Sequence, residues 1–244
     1  MIVALSYYLS DRFLGGAIAA SAALLTRQFS IFLPAAYALT SLTNGCQGRL
    51  DPRRAILLIL PFVTILPLIF LWGGIVPQNR LRELVHRVGY FHPEFVNYLV
   101  LAVGVYSLPM AILRIRKIFQ RQRLVVVVLL MPLFWLAIPR PNPEVLNLPV
   151  KTLGYLDIVL TRAFGDHKTV PYFLLWLLGC LILSEIFHIE RQEPNKLSIF
   201  AIAGFFIMNL FAHMVWDKYV LLILPLIFLS LARARARSIR FACA

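Results

Sequence analysis

The sequence predicts an all-α protein, a polytopic transmembrane helical bundle of about eight spans with short loops and one interfacial helix. Composition is the first reason: 60% of the 244 residues are hydrophobic and 14% are charged, whereas soluble domains average roughly half and a quarter. The second reason is that the apolar residues form long runs between charged clusters, and a spanning helix needs about 20 mostly apolar residues. The alternating strands of a membrane barrel are absent from the sequence.

Eight apolar segments are the predicted spans. Several are shorter than about 20 residues, which implies tilt, local thinning of the bilayer, or ends beside a water-filled cavity. No internal repeat or soluble insertion is visible, so residues 1–244 are predicted to form one transmembrane domain. The segments are Phe13–Leu25, Phe29–Leu42, Ala55–Val76, Phe95–Leu113, Leu124–Ile138, Pro171–Phe187, Leu197–Val215 and Tyr219–Ala232.

The basic residues predict the orientation of these spans. If each segment crosses once, one face carries 14 Lys and Arg residues and the other carries 9 over a longer total length. The richer face is therefore predicted to be cytoplasmic. The same rule accounts for the net charge of +13 without nucleic acid as a partner. The stretches on the richer face are Asn44–Arg54, Arg114–Arg123, His188–Lys196 and the tail from Arg233.

The longest predicted non-cytoplasmic loop runs from Pro139 to Val170. Its second half, TLGYLDIVLTRAF, mixes Asp157 and Arg162 with apolar residues, which indicates a helix lying in the membrane interface. No HExxH, P-loop, GxSxG or SxxK motif occurs, so no catalytic constellation, cofactor or metal is predicted. Asp166 and His167 are the nearest approach to a titratable pair in a loop.

A polar junction lies between the first two apolar segments. Arg27 and Gln28 stand in LLTRQFSIFLP with no turn residues around them. One helix from Phe13 to Leu42 would be about 45 Å long, which is too long for one span, so the chain is predicted to turn near Arg27. Arg27 is then either a snorkelling anchor or a cavity-facing group that binds a phosphate.

Three further polar features fall on the same predicted non-cytoplasmic face. FLWGGIVPQNR combines the interfacial Trp72 with a glycine-rich backbone break, and WDKYVLLILP places Asp217, Lys218 and Tyr219 at the start of the last span. Between these two motifs lies a loop with more basic residues than the non-cytoplasmic face usually carries. The basic residues of this loop could bind an anionic ligand, or they could simply be solvated. Its basic residues are Arg80, Arg82, His86, Arg87 and His92.

Together these junctions resemble the GT-C class of membrane glycosyltransferases, and above all the α-1,2-glucosyltransferases that use polyprenyl-phosphate sugars. Arg27 and Gln28 in TRQFSIF match an Arg-Gln motif at a helix end. Trp72-Gly73-Gly74-Ile75-Val76 matches a Trp-Asn/Gly-Gly-Ile-Val segment that enters a lumenal loop, and His86, Tyr90 and Phe91 match the histidine and aromatic pair of that loop. Trp216-Asp217-Lys218-Tyr219 before LLILP matches the final charged-Tyr motif.

The resemblance implies sugar transfer from a polyprenyl-phosphate donor to an acceptor at the non-cytoplasmic face, in the bacterial inner membrane or the endoplasmic reticulum. Arg27, Gln28, Lys218, Arg80 and His86 would bind the donor phosphate. The cleft would be lined by Trp72, Gly73, Asp217 and Tyr219.

One departure from the family pattern concerns the catalytic base. The resemblance places that base on an acidic residue in an early non-cytoplasmic loop, whereas Asp11, the first acidic residue, falls on the predicted cytoplasmic side. The chain is therefore expected to be the C-terminal part of such an enzyme. The base would then belong to the missing N-terminal part, which a separate partner chain could carry. The catalytic residue is then unknown, and this part alone is expected to be inactive.

Two alternatives stay open. An O-antigen polymerase or ligase would also be polytopic, although its periplasmic loop would be longer and richer in arginine than residues 139–170. A transporter or a non-catalytic membrane subunit belongs to a different class, and a transporter would show paired repeats with broken helices and ionisable groups near mid-membrane.

Overall fold

A computed structural model of the chain describes residues 2–10, 12–26, 28–45, 52–72, 91–139, 153–193, 196–211 and 217–242. Within these ranges the protein is helical nearly throughout and contains no strand, which confirms the all-α prediction for the described chain. Twelve α-helices lie in these ranges: α1 Ile2–Leu9, α2 Phe13–Thr26, α3 Phe32–Gly45, α4 Pro52–Trp72, α5 Pro93–Tyr106, α6 Leu108–Ile112, α7 Ile115–Ile118, α8 Arg121–Leu136, α9 Tyr155–Phe164, α10 Thr169–Arg191, α11 Leu197–Leu210 and α12 Leu224–Ala242.

The helices divide into two compact units. The first comprises Met1–Tyr90 and Pro194–Met208, and its described helices are α1 to α4 with most of α11. Here α2 packs against α1 and α4. Tyr8 of α1 stacks on Tyr37 of α3 with ring centroids 4.0 Å apart. Gly16 makes room for this stack, because a Cβ at that position would overlap the Tyr8 ring.

The second unit comprises Phe91–Glu193 and Asn209–Ala244, and it is built around the pair α5 and α10. Helices α8 and α12 also pack against α10, and the 3-10 turn Asp217–Leu222 packs against α5. Two glycines allow α5 and α10 to approach: a Cβ on Gly104 would lie 2.9 Å from the backbone nitrogen of Gly179. Such close contacts through small residues are typical of membrane helix pairs.

Prolines explain two of the differences between the helices and the predicted spans. The predicted span Phe95–Leu113 is broken at Ser107, between α5 and α6. Pro109 lacks the N–H that would continue the hydrogen-bond pattern of α5, and its place in the first turn of α6 suits the start of a new helix. Likewise Pro225, at the second position of α12, suits a helix start, so the predicted span Tyr219–Ala232 divides into a 3-10 turn and a helix that begins at Leu224.

One stretch of the described chain, Tyr155–Arg191, is long and apolar enough to cross a membrane. Gly165, with φ of +54°, interrupts the stretch between α9 and α10, so the apolar part that can cross is α10. Its 23 residues would extend about 34 Å. The apolar segments of the other longer helices are shorter, at 10 to 17 residues.

Candidate functional site

The structure describes only part of the site that the sequence predicts. Gln28 begins the 3-10 turn Gln28–Ile31, and Trp72 is the last residue of α4. Asp217, Lys218 and Tyr219 are consecutive on the 3-10 turn that precedes α12, and Tyr219 is half-buried. Gln28, Trp72 and Asp217 therefore stand at the first or last residue of a helix or turn, and Lys218 and Tyr219 follow Asp217 within its turn. Arg27, Gly73, Arg80 and His86 lie outside the described residues.

An ion cluster that the sequence analysis missed lies inside the second unit. Glu185 of α10 is fully buried and binds two arginines. Arg114, between α6 and α7, donates from Nε and Nη2 to Glu185 Oε1 at 3.0 and 2.6 Å. Arg123, in the first turn of α8, pairs through Nη2 with Glu185 Oε2. The buried guanidinium of Arg123 and the largely buried one of Arg114 thus share one carboxylate, and the cluster carries a net charge of +1.

Arg123 is nearly completely buried, and its Nη1 has no hydrogen-bond partner among the described residues. Burying charges costs several kcal/mol for each ion, which only good geometry and mutual pairing offset. The cluster therefore fixes α7 and the start of α8 against α10. The sequence feature that could have indicated this cluster is Glu185, an acidic residue inside the predicted span Pro171–Phe187. Ionisable residues inside a membrane span are rare and usually have a functional or structural partner.

A second buried cluster joins α9 to the start of α10. Asp157 is 1% exposed. It accepts hydrogen bonds from the Lys168 ammonium at 2.8 Å, the Leu153 backbone N–H at 3.0 Å and the Tyr172 hydroxyl. Lys168 also donates to Thr161 Oγ1 at 2.9 Å. The sequence predicts Asp157 to be a charged residue of an interfacial helix, whereas in the structure its side chain is buried.

The electrostatics of Asp157 follow from these contacts. Burial acts to raise the pKa of its carboxyl, but the hydrogen bonds from Lys168, Tyr172 and the Leu153 N–H, with the Lys168 charge, hold the pKa below its usual value of 3.8. Asp157 is thus an anion fully occupied by donors, which suits a clamp between helices better than a base. Asp166 and His167, the loop pair noted in the sequence, are exposed on the neighbouring 3-10 turn.

Two further polar links hold the second unit together. Asn97 of α5 donates to the carbonyl oxygens of Leu133 and Ala137 at 3.0 and 2.7 Å, and accepts from Trp176 Nε1 at 3.0 Å. Glu190 of α10 contacts the Ser230 hydroxyl of α12 at 2.5 Å. Like Glu185 and Asp157, Asn97 and Glu190 are buried.

These clusters limit the chemistry of the described residues. Asp157, Glu185 and Glu190 are buried and already engaged by cations or hydroxyls, so none of them is open to an acceptor hydroxyl. No three His, Cys, Asp or Glu side chains within the described ranges lie close enough together to hold a metal ion. No family model, curated protein or solved structure matches the chain.

Proposed function

We propose that the chain is a multi-pass integral membrane protein of about eight spans. The surface of its helices supports this. Large apolar side chains point outward from most of the longer helices, among them Phe70 at 89% exposed, Leu136 at 82% and Leu129 at 73%. Polar and charged groups such as Asn97 and Glu185 are buried instead. That distribution suits a lipid environment, because hydrocarbon covers apolar side chains without cost while polar groups need internal partners.

The proposed class is a GT-C-like glycosyltransferase that takes a sugar from a polyprenyl-phosphate donor at the non-cytoplasmic face. The observation that carries this proposal is the order of three junction motifs along the chain, at Arg27-Gln28, Trp72-Gly73 and Asp217-Lys218-Tyr219. The described members of these motifs, Gln28, Trp72 and Asp217, stand at element ends, where polar groups can meet a lipid headgroup.

In this proposal the cations act on the phosphate. Arg27, Gln28 and Lys218, with Arg80 and His86, would hold the donor phosphate, and cations there would stabilise the negative charge left on it when the sugar departs. Arginine suits this position because its planar fork binds phosphate through two hydrogen bonds. Trp72, Gly73, Asp217 and Tyr219 would line the cleft. The proposal assigns no described residue as the base that deprotonates the acceptor, and no metal is invoked.

The test is donor binding by the full chain in membranes, measured by photo-crosslinking to a benzophenone-bearing polyprenyl phosphate. Arg27→Ala should lower crosslinking about tenfold or more, since it removes a charged hydrogen-bonding partner. Arg27→Lys should restore part of the loss. Arg12→Ala, at an exposed arginine outside the motifs, serves as the control and should crosslink like the parent. Unchanged crosslinking in Arg27→Ala would remove Arg27 from the phosphate site.

A non-catalytic membrane subunit is the second candidate. One observation favours it: the buried carboxylates of the described residues are engaged in helix-to-helix contacts rather than open to a substrate. The two candidates differ in the crosslinking experiment. A subunit without a donor site would give no crosslinking above that of a lipid carrying benzophenone but no phosphate, in the parent and in every variant.

A further inference from the structure

The segment between Arg114 and Arg123 is held at both ends by one carboxylate. Arg114 binds Glu185 Oε1 at 2.6 Å, and Arg123 pairs with Glu185 Oε2. The basic loop, defined here as residues 115–122, therefore starts and ends beside the same point on α10. Ile118, in its middle, is 1% exposed and anchors it further. The loop is thus a fixed surface and not a free tether.

The basic loop presents two kinds of side chain to its surroundings. Arg116, Lys117 and Arg121 are exposed. Between them, Ile115 and Phe119 are 52% and 49% exposed, which is high for large apolar residues on a loop that is otherwise anchored. Cations interleaved with exposed apolar side chains are typical of segments that lie at a membrane surface, with apolar groups at the acyl boundary and cations among the headgroups.

No acidic residue neutralises this loop within its own part of the chain. Residues 95–143 contain neither Asp nor Glu. Glu185, the acidic partner supplied by α10, is outnumbered by Arg114 and Arg123, so the cluster beneath the loop adds a net positive charge. The electrostatic field at the loop therefore favours an anion, and the exposed apolar side chains favour one that is attached to hydrocarbon.

We propose that the basic loop is a binding surface for anionic phospholipid, whose phosphate groups contact Arg116, Lys117 and Arg121 while Ile115 and Phe119 enter the acyl boundary. The proposal rests on the membrane location argued under "Proposed function" and places the loop at the predicted cytoplasmic face. It goes beyond a topogenic role for these cations, because it requires selective lipid binding by the finished protein.

The experiment measures lipid selectivity by native mass spectrometry. The full chain, purified in detergent, is given equal amounts of phosphatidylglycerol and phosphatidylcholine with the same acyl chains. The parent should retain phosphatidylglycerol in preference to phosphatidylcholine. Arg116→Gln with Arg121→Gln should reduce that preference by about fivefold for each cation removed, or about twenty-fivefold together. The charge-matched control, Arg12→Gln with Arg162→Gln, removes two exposed arginines elsewhere and should keep the preference.

Two outcomes would overturn the proposal: a parent with no preference for phosphatidylglycerol, or an equal loss of preference in the test and control variants. Because the substituted side chains are exposed, thermal unfolding should be the same in the parent and both variants. Extraction of cell membranes at alkaline pH separates failure of the membrane proposal from failure of this one. A chain released by alkali would contradict the membrane location, whereas a retained chain without lipid preference would contradict only the lipid surface.

Discussion

Gly104 of α5 lies directly against Gly179 of α10, so that the two helix backbones meet without intervening side chains. A Cβ on Gly179 would overlap the carbonyl oxygen of Val100, and a Cβ on Gly104 would overlap that of Leu175. Backbone atoms cannot move aside as a flexible side chain can. The contact therefore sets the separation of the two helices around which the second unit is built.

Gly179→Ala should destabilise the protein by about 1–3 kcal/mol, because the added methyl group forces α5 and α10 apart. The measurement is thermal unfolding in detergent. Gly204→Ala is the matched control in the first unit, where the added Cβ would lie 3.3 Å from Phe32 Cβ and needs only a small adjustment. Equal unfolding temperatures for the two variants would show that the close approach of α5 and α10 is not required.

Glu185→Gln should destabilise the protein by about 3–5 kcal/mol, because it leaves Arg114 and Arg123 buried without a counter-charge. Unfolding by denaturant in detergent gives the difference in free energy. Glu94→Gln is the control: Glu94 pairs with His92 at 2.9 Å but is partly exposed, so its loss should cost about 1 kcal/mol or less.

A charge-free triple variant tests the cause of the Glu185 effect. Arg114→Met, Arg123→Met and Glu185→Leu together remove every ion of the cluster. Since apolar replacements of a complete buried ion set are often neutral or stabilising, this variant should regain most of the stability that Glu185→Gln loses. A triple variant as unstable as Glu185→Gln would mean that shape, and not charge pairing, dominates this site.

The Asp157 cluster predicts a pH dependence of stability. The pKa of Asp157 is lower in the folded protein than its usual 3.8. Its contribution is therefore fully present above pH 3.8 and is lost as the pH falls through the lowered folded pKa. Asp157→Asn should unfold at a lower temperature than the parent at neutral pH, and this difference should shrink once the pH falls below about 3.8. Asp166→Asn, at the exposed neighbour, is the control and should unfold at about the same temperature as the parent at neutral pH. A constant difference down to acidic pH would contradict the lowered pKa.

Helix α8 offers a direct test of lipid contact. Leu129 is 73% exposed, whereas Phe134 on the same helix is fully buried. With the native cysteines replaced, a spin label at Leu129→Cys should be relaxed more by oxygen, which concentrates in hydrocarbon, than by a water-soluble nickel chelate. A label at Phe134→Cys should be reached by neither agent. Greater access of the nickel chelate to the label at position 129 would place this face of α8 in water.

The sequence was sufficient to predict most helices, because long apolar runs leave the backbone few alternatives. Residues 13–26 and 121–136 show this, since both helices match the predicted spans closely. Hydropathy alone, however, predicted one continuous span across Ser107. Pro109 was the sequence feature that indicated a helix break there. The first helix, Ile2–Leu9, was not predicted, because eight residues are too few to stand out as an apolar run.

Polar partners were the harder part of the site to predict. Glu185 was visible as an acidic residue in an apolar run, but Arg114 lies 71 residues away and belongs to a loop whose charge the positive-inside rule already explained. Asp157 sat in a segment with helical spacing, and only the turn at Gly165 brings Lys168 and Tyr172 back onto it. Single-residue patterns carry no information about such distant pairings.

The pairing of Glu185 with two earlier arginines also has a consequence for biosynthesis. Arg114 is made 71 residues before Glu185, an interval of about 4 to 14 seconds at typical translation rates. In the proposed membrane protein, both guanidinium groups would lack their carboxylate until Glu185 is made, and they would stay in water on the side of the bilayer where they were made. On that proposal the hairpin of α5 and α8 would be oriented first, and α10 would fix the turn between them only after its own insertion.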